Sequence, residues 1–176
     1  MKDIEFWLGE YSKSHQNKTN KIIHWICVPL IFWSIVLILS LIPASFLKVF
    51  NNYLLNEISN WGTIAIIMGL FFYLRLSFNI FLGMLCFSTI VILDIHLKLY
   101  LFEHNKFWGL FDFLTISGEK FLFIQGIIVF IISWILQFIG HKIEGKKPSF
   151  FMDIKFLLIG PAWIISFIYN KYNIKL

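Results

Sequence analysis

The chain has 176 residues, 59% of them hydrophobic and 19% aromatic, with only 14% charged and a mean hydropathy of +0.77, against about 25% charged residues in soluble domains. That balance excludes a water-soluble domain, because the apolar residues are gathered into blocks about as long as a bilayer is thick. The net charge of +5 is scattered over short connecting segments with no basic stripe among exposed aromatics, a pattern that suits lipid headgroups and excludes a nucleic-acid binder.

The first twenty residues carry Lys2, Asp3, Glu5, Glu10, Lys13 and Lys18 without a continuous apolar run, so no cleaved signal peptide is expected. Residues 25–47 contain no charge and predict a first span despite Pro29 and Pro43. After a polar stretch, residues 61–74 and 76–97 are apolar and Arg75 stands between them. A lone arginine at the bilayer centre costs about 2.5 to 3.5 kcal/mol, so two spans meeting in a hairpin, with Arg75 at the interface, are favoured over one long helix. Asp94 reads as an interfacial cap. Residues 98–119 mix Glu103, Lys106, Asp112 and Glu119 with five aromatics from Phe102 to Phe113, the composition of a segment lying on the membrane.

A fourth span covers residues 120–140, and a polar turn leads to a last apolar stretch, 154–170, around Gly160 and Pro161. That stretch is either a tilted fifth span or a re-entrant segment. The Lys/Arg distribution, with a cytoplasmic N-terminus, favours re-entry. The expected fold is therefore all-α: one polytopic membrane domain over residues 1–176, a helical bundle of four full spans plus a fifth tilted or re-entrant segment. Its membrane is the endoplasmic reticulum in a eukaryote or the cytoplasmic membrane in a bacterium. Cys27 and Cys86 fall in apolar runs and read as packed thiols.

Two polar clusters carry the chemistry. The first, at the mouth of span one, holds Tyr11, His15, Asn20 and His24 ahead of Pro29, with Asn20 as the expected helix N-cap. His15 and His24 converge only if the chain bends between them, which the polar run from Gln16 to Asn20 permits. The second closes span four, with Trp134, Gln137, Gly140, His141 and Glu144. If the helix continues past Gly140, His141 and Glu144 share one face and offer an imidazole and a carboxylate to one metal, with Gln137 one turn back to orient a ligand. Span counting puts both clusters on the cytoplasmic face, so three histidines and a glutamate can meet there. His96 and His104 end the third span on the other face. The bland alternative for each histidine is a headgroup contact, and for Glu144 a solvated pair with a neighbouring lysine.

These two motifs, with Pro148 and the Gly160-Pro161 pair, give the chain a resemblance from Tyr11 to Tyr169 to a family of small multi-span membrane proteins. That family includes the fungal 2-hydroxy fatty acid dioxygenase of phytosphingosine breakdown. The resemblance implies an Fe(II)-dependent dioxygenase that removes one carbon from a 2-hydroxy fatty acid with O2. It implies that His15, His24 and His141 hold the iron, with Glu144 as fourth ligand or base and Gln137 and Tyr11 in catalytic roles. Asn20, Lys142, Lys146 and Lys147 would hold or attract the substrate carboxylate, while the acyl chain lies among the spans. Histidine ligands with open positions agree with non-haem iron chemistry, and five histidines are too few for the His-rich di-iron sites of membrane desaturases. Two readings compete: a non-catalytic scaffold or lipid-handling protein, which has no need of clustered histidines, and a zinc-dependent lipid hydrolase, which has no need of oxygen.

Overall fold

The computed structural model describes residues 3–103, 117–148 and 155–176. Among them are seven α-helices and no strand: α1 (Ile4–Ser12), α2 (Lys18–Ser40), α3 (Tyr53–Ile58), α4 (Trp61–Leu76), α5 (Phe78–Glu103), α6 (Gly118–Glu144) and α7 (Phe156–Lys171). Local chemistry sets their ends. Asp3 accepts from Phe6 N at 2.9 Å to start α1, and Asn60 accepts from Thr63 N at 3.0 Å to start α4. Gly145, left-handed at φ 72°, closes α6 by donating to the His141 and Lys142 carbonyls.

The helix α2 begins earlier than the apolar pattern alone indicated. Its N-cap is Asn17, whose side chain accepts from the amides of Thr19 and Asn20, so Asn20 is not the cap. Asn20 lies inside the helix and is fully buried. The first cluster thus splits across a helix, a turn and a helix, since α1, which the hydrophobic blocks did not reveal, carries Tyr11 into the turn before α2.

The molecule exposes large apolar side chains and buries several polar ones. Met68, Phe71, Ile90 and Leu93 stand outward at 69, 64, 63 and 63% exposure, while Ser34, Ser88, Ser133 and Gln137 are buried. Only a lipid environment makes that arrangement favourable. Three helices, α2, α5 and α6, are long and apolar enough to cross a membrane. The helices α4 and α7, at 16 residues each, extend about 24 Å at 1.5 Å per residue, short of a hydrocarbon core about 30 Å thick. Residues 104–116 of the expected interfacial segment, His104 among them, lie outside the described residues.

Arg75 sits where a hairpin needs it. The helix α4 ends at Leu76, Ser77 is extended (φ −163°, ψ 131°), and α5 starts at Phe78. The pair α2 and α6 forms the tightest packing in the bundle, with α4 on another face of α2. Glycines permit the approach: a Cβ at Gly126 would meet Ile38 at 3.0 Å, one at Gly62 would meet the Val36 carbonyl at 2.7 Å, and one at Gly140 would collide with Asn20 Oδ1.

Two apolar clusters stack along the bundle. Val36, Leu37, Ile66, Val91, Ile95 and Leu122 fill one end. At the other, α1 and α7 pack on the hairpin through Leu8, Tyr11, Tyr73, Ile80, Met84 and Trp163. The helix α7 runs unbroken through Pro161, and both of its ends are tied near the hairpin turn. Tyr73 Oη donates to the Leu158 carbonyl and Tyr169 Oη to the Asn79 carbonyl, each at 2.7 Å. Asp94 is no cap. It pairs with Lys98 one turn on and accepts from Trp33 Nε1 at 2.8 Å, which neutralises an acid on an otherwise apolar helix.

Lys18, Arg75 and Lys147 all belong to the α1–α7 end of the bundle, and the adjacent Lys146 Nζ reaches the Lys13 carbonyl at 2.7 Å. Single cysteines at these three positions, in a background lacking Cys27 and Cys86, should therefore react with an impermeant maleimide from one and the same side of sealed vesicles. Labelling of Lys147→Cys from the side opposite Lys18→Cys would contradict the packing of α6 on α2.

Candidate metal centre

Three elements each deliver one histidine. His15 comes from the turn after α1, His24 from the second turn of α2, and His141 from the last turn of α6. Their ring centroids are 4.3 Å (His15 to His24), 4.9 Å (His15 to His141) and 4.8 Å (His24 to His141) apart. Exposure is 0, 1 and 5% respectively. One potential ligand atom from each lies within 4.8 Å of the others, close enough for all three to be offered to one ion.

The surroundings orient these rings. His15 Nδ1 is 2.7 Å from the Tyr11 carbonyl and His24 Nδ1 is 3.0 Å from the Asn20 carbonyl. A carbonyl only accepts, so each Nδ1 carries the proton and each Nε2 keeps its lone pair for another partner. His15 Nε2 and His141 Nδ1 are buried with no hydrogen-bond partner among the described residues. Burial, ahead of the nearby His24, pushes the His15 pKa down to about 3, so this ring is neutral at physiological pH. Three buried, converging imidazoles, two of them with an unsatisfied ring nitrogen, are a donor set that a divalent transition metal would satisfy.

Tyr11 stacks on the His15 ring at 4.1 Å between centroids, and Trp163 flanks it at 5.3 Å. Burial keeps the Tyr11 phenol protonated by raising its pKa. Trp163 Nε1 donates to Ser12 Oγ at 2.9 Å, tying α7 to the end of α1. Ser14 Oγ lies 3.2 Å from His15 Nδ1.

Glu144 is not among the converging groups. Its carboxylate accepts from Gln16 N at 2.8 Å, Asn17 N at 2.7 Å and Asn20 Nδ2 at 3.1 Å. Asn20 Nδ2 also donates to the Ser14 carbonyl at 3.1 Å. The end of α6 thereby grips the turn that carries His15. Asn20 stands behind the histidines within this clamp.

The histidines stand at the head of a cavity of about 560 Å³ whose walls come from α2, α4, α6 and α7. Tyr11 and Gln137 line it beside them, and below them the lining is almost wholly apolar: Val28, Phe32, Ile35, Ile66, Leu70 and Trp134 among others. Lys142, Lys146 and Lys147 are exposed and outside this cavity. Among the described residues the lysine that does line it is Lys155, which belongs to no motif in the sequence and whose Nζ stands 5.3 Å above the Trp7 ring. His96 is not part of the cluster. Its neighbour Asp94 pairs with Trp33, about 13 Å further along α2 than His24.

Over residues 1–172 the chain matches the family described as 2-hydroxy-palmitic acid dioxygenase Mpo1-like. No curated protein and no solved structure matches it. The family match covers nearly the whole chain and both histidine clusters, and the chain belongs to this family.

The clamp predicts a graded effect. Glu144→Gln keeps the shape but weakens two hydrogen bonds to the His15 turn and one to Asn20, so cobalt(II) or iron(II) affinity should fall about 10- to 100-fold, as for other groups that position ligands. Titration of the purified protein with either metal checks it. Complete loss of binding would make Glu144 a ligand, and unchanged affinity would show that the clamp does not hold His15.

Proposed function

We propose that this protein is a membrane-embedded, iron(II)-dependent dioxygenase that shortens 2-hydroxy fatty acids by one carbon. The observation that carries the reading is the convergence of three buried histidines, two of them with a ring nitrogen that has no hydrogen-bond partner among the described residues, at the head of a long apolar cavity. Neutral imidazoles suit zinc and copper(II) as well as iron(II). Membership of a family described by its dioxygenase favours iron. A scaffold would have no use for such a centre, since burying the His15 Nε2 and His141 Nδ1 atoms without a partner lowers stability.

His15, His24 and His141 would hold the metal, and iron bound there would supply a site for O2 and for the hydroxyl and carboxylate of the substrate together. The balance closes with O2 as the oxidant: the hydroxy acid and O2 give the shortened acid, carbon dioxide and water. The remaining roles fall to the chain itself. Gln137, beside the histidines on the cavity wall, would hydrogen-bond the hydroxy acid's head. Tyr11, protonated and stacked on His15, fixes that ring and excludes water. Lys155 would draw the carboxylate toward the cavity in place of the three exposed lysines near His141. Glu144 and Asn20 would act through the position of His15 rather than on the substrate.

The deciding test is product analysis with 2-hydroxypalmitate and Fe(II), in air and under argon. The odd-chain acid should form only in air, whereas a hydrolase would be indifferent to oxygen. His15→Ala, His24→Ala and His141→Ala should each bind less than about a hundredth of the parental iron, as expected for a lost ligand, and release no shortened acid at matched expression. His96→Ala should keep most of both. If His96→Ala is as damaging as His141→Ala, the metal lies elsewhere.

A further inference from the structure

Glycine weakens a helix by about 1 kcal/mol relative to alanine, and most helical glycines here have a compensating contact. At Gly62, Gly83, Gly126 and Gly140 a Cβ would meet another helix at 3.0 Å or less. Gly69, in the middle of α4, has no such contact: a Cβ there would meet only its own helix's Tyr73 ring, at 4.0 Å. Gly69 faces open space, and that space is the cavity below the histidines, which Ala65, one turn earlier, also lines.

The register of α4 on α2 says how far along the cavity these positions fall. Gly62 abuts the Val36 carbonyl and Ser40, while the C-terminal part of α4 reaches α7 through Tyr73 and Leu158, so α4 runs antiparallel to α2. At 1.5 Å per residue, Gly69 lies level with a point about 10 Å from His24 and Ala65 about 16 Å from it. One leaflet of a bilayer, half of a hydrocarbon core about 30 Å thick, is about 15 Å deep, and that is the reach of one ordinary acyl chain. The helices α4 and α6 both pack on α2 and scarcely touch each other, which leaves a groove between them with α2 as its floor.

We propose that this groove holds the acyl chain of the substrate and that the missing side chain at Gly69, with the small one at Ala65, sets which chain lengths pass. The inference rests on the hydroxy-acid reading above and deepens it. The chain carbons nearest the head lie against α7 and the first turns of α2, the middle of the chain crosses Gly69, and the end of an ordinary membrane fatty acid reaches Ala65. A bulky side chain at Gly69 should therefore stop the chain early, and one at Ala65 should stop it later. Neither position touches the histidines.

The experiment compares parent, Gly69→Phe and Ala65→Phe on 2-hydroxyoctanoic, 2-hydroxylauric, 2-hydroxypalmitic and 2-hydroxylignoceric acids, with iron content measured for each protein. Gly69→Phe should lower turnover of the palmitic and lignoceric acids about tenfold or more, in line with overfilling a packed site, and leave the octanoic acid within about twofold. Ala65→Phe should move that cutoff to a longer acid. A second readout needs no turnover: palmitic acid bearing a mid-chain diazirine should photolabel α4 around Gly69 in the parent and not in Gly69→Phe. If the parent shortens no hydroxy acid but the photolabel maps to α4, the dioxygenase reading fails and the groove stands. If the label maps elsewhere, or both variants change all four acids equally with iron retained, the groove is not the acyl site and Gly69 does not select length. Loss of iron in Gly69→Phe would overturn the separation from the metal centre, and Gly69→Ala, which adds one methyl facing open space, should keep iron and lose the longest acid first.

Discussion

The contact on which the rest depends is the grip of Glu144 on the turn between α1 and α2. Two backbone amides, at Gln16 and Asn17, lie at the start of α2 where no helical carbonyl can serve them. A carboxylate is the strongest acceptor available, and it is favoured again by the positive end of the helix dipole. Through Asn20 the same carboxylate reaches the Ser14 carbonyl, so the residues on both sides of His15 are held from one point. Gly140 makes this possible, because a side chain there would occupy the place of the Asn20 amide.

From that contact the placement of the histidine cluster follows. His141 stands one turn before Glu144 on α6, and His24 one turn after Asn20 on α2, so the residues that lock the helices together also set the two rings face to face. The third ring, His15, belongs to the locked turn itself. Tyr11 and Trp163 then close the centre from α1 and α7, with the Ser12 to Trp163 hydrogen bond joining those two helices. In lipid, where helices gain little from apolar burial against one another, such polar links and glycine contacts carry much of the specificity of packing.

The same packing makes the cavity. Because α6 and α4 approach α2 on different faces, a gap persists between them, and α7 covers it only at the end that bears the histidines. A polar head can then meet the histidines while a tail remains in surroundings like those of the bilayer. That division, with donors at one end and a long apolar lining below, matches an amphiphile better than a small polar metabolite.

Much of this was legible in the residues alone. Uncharged runs near bilayer length announced α2, α5 and α6, since nothing but helix satisfies a backbone in lipid, and the cost of burying Arg75 located the α4–α5 hairpin. The polar clusters around His24 and His141 marked the ends that meet. What the residues could not tell is which polar groups satisfy one another, because that depends on the rotation of α2 against α6 and not on spacing along either. So Glu144, a ligand candidate by its distance from His141, proved to be committed to backbone amides 127 and 128 positions away. Asn20 proved to be interior and Asn17 the cap, α1 escaped notice because a nine-residue helix has no bilayer-length signature, and Asp94 found Trp33 across a helix interface. Gly69 makes the same point. A glycine in an apolar run looks like any other until the neighbouring helix is in place, and only then does the absence of a side chain become space.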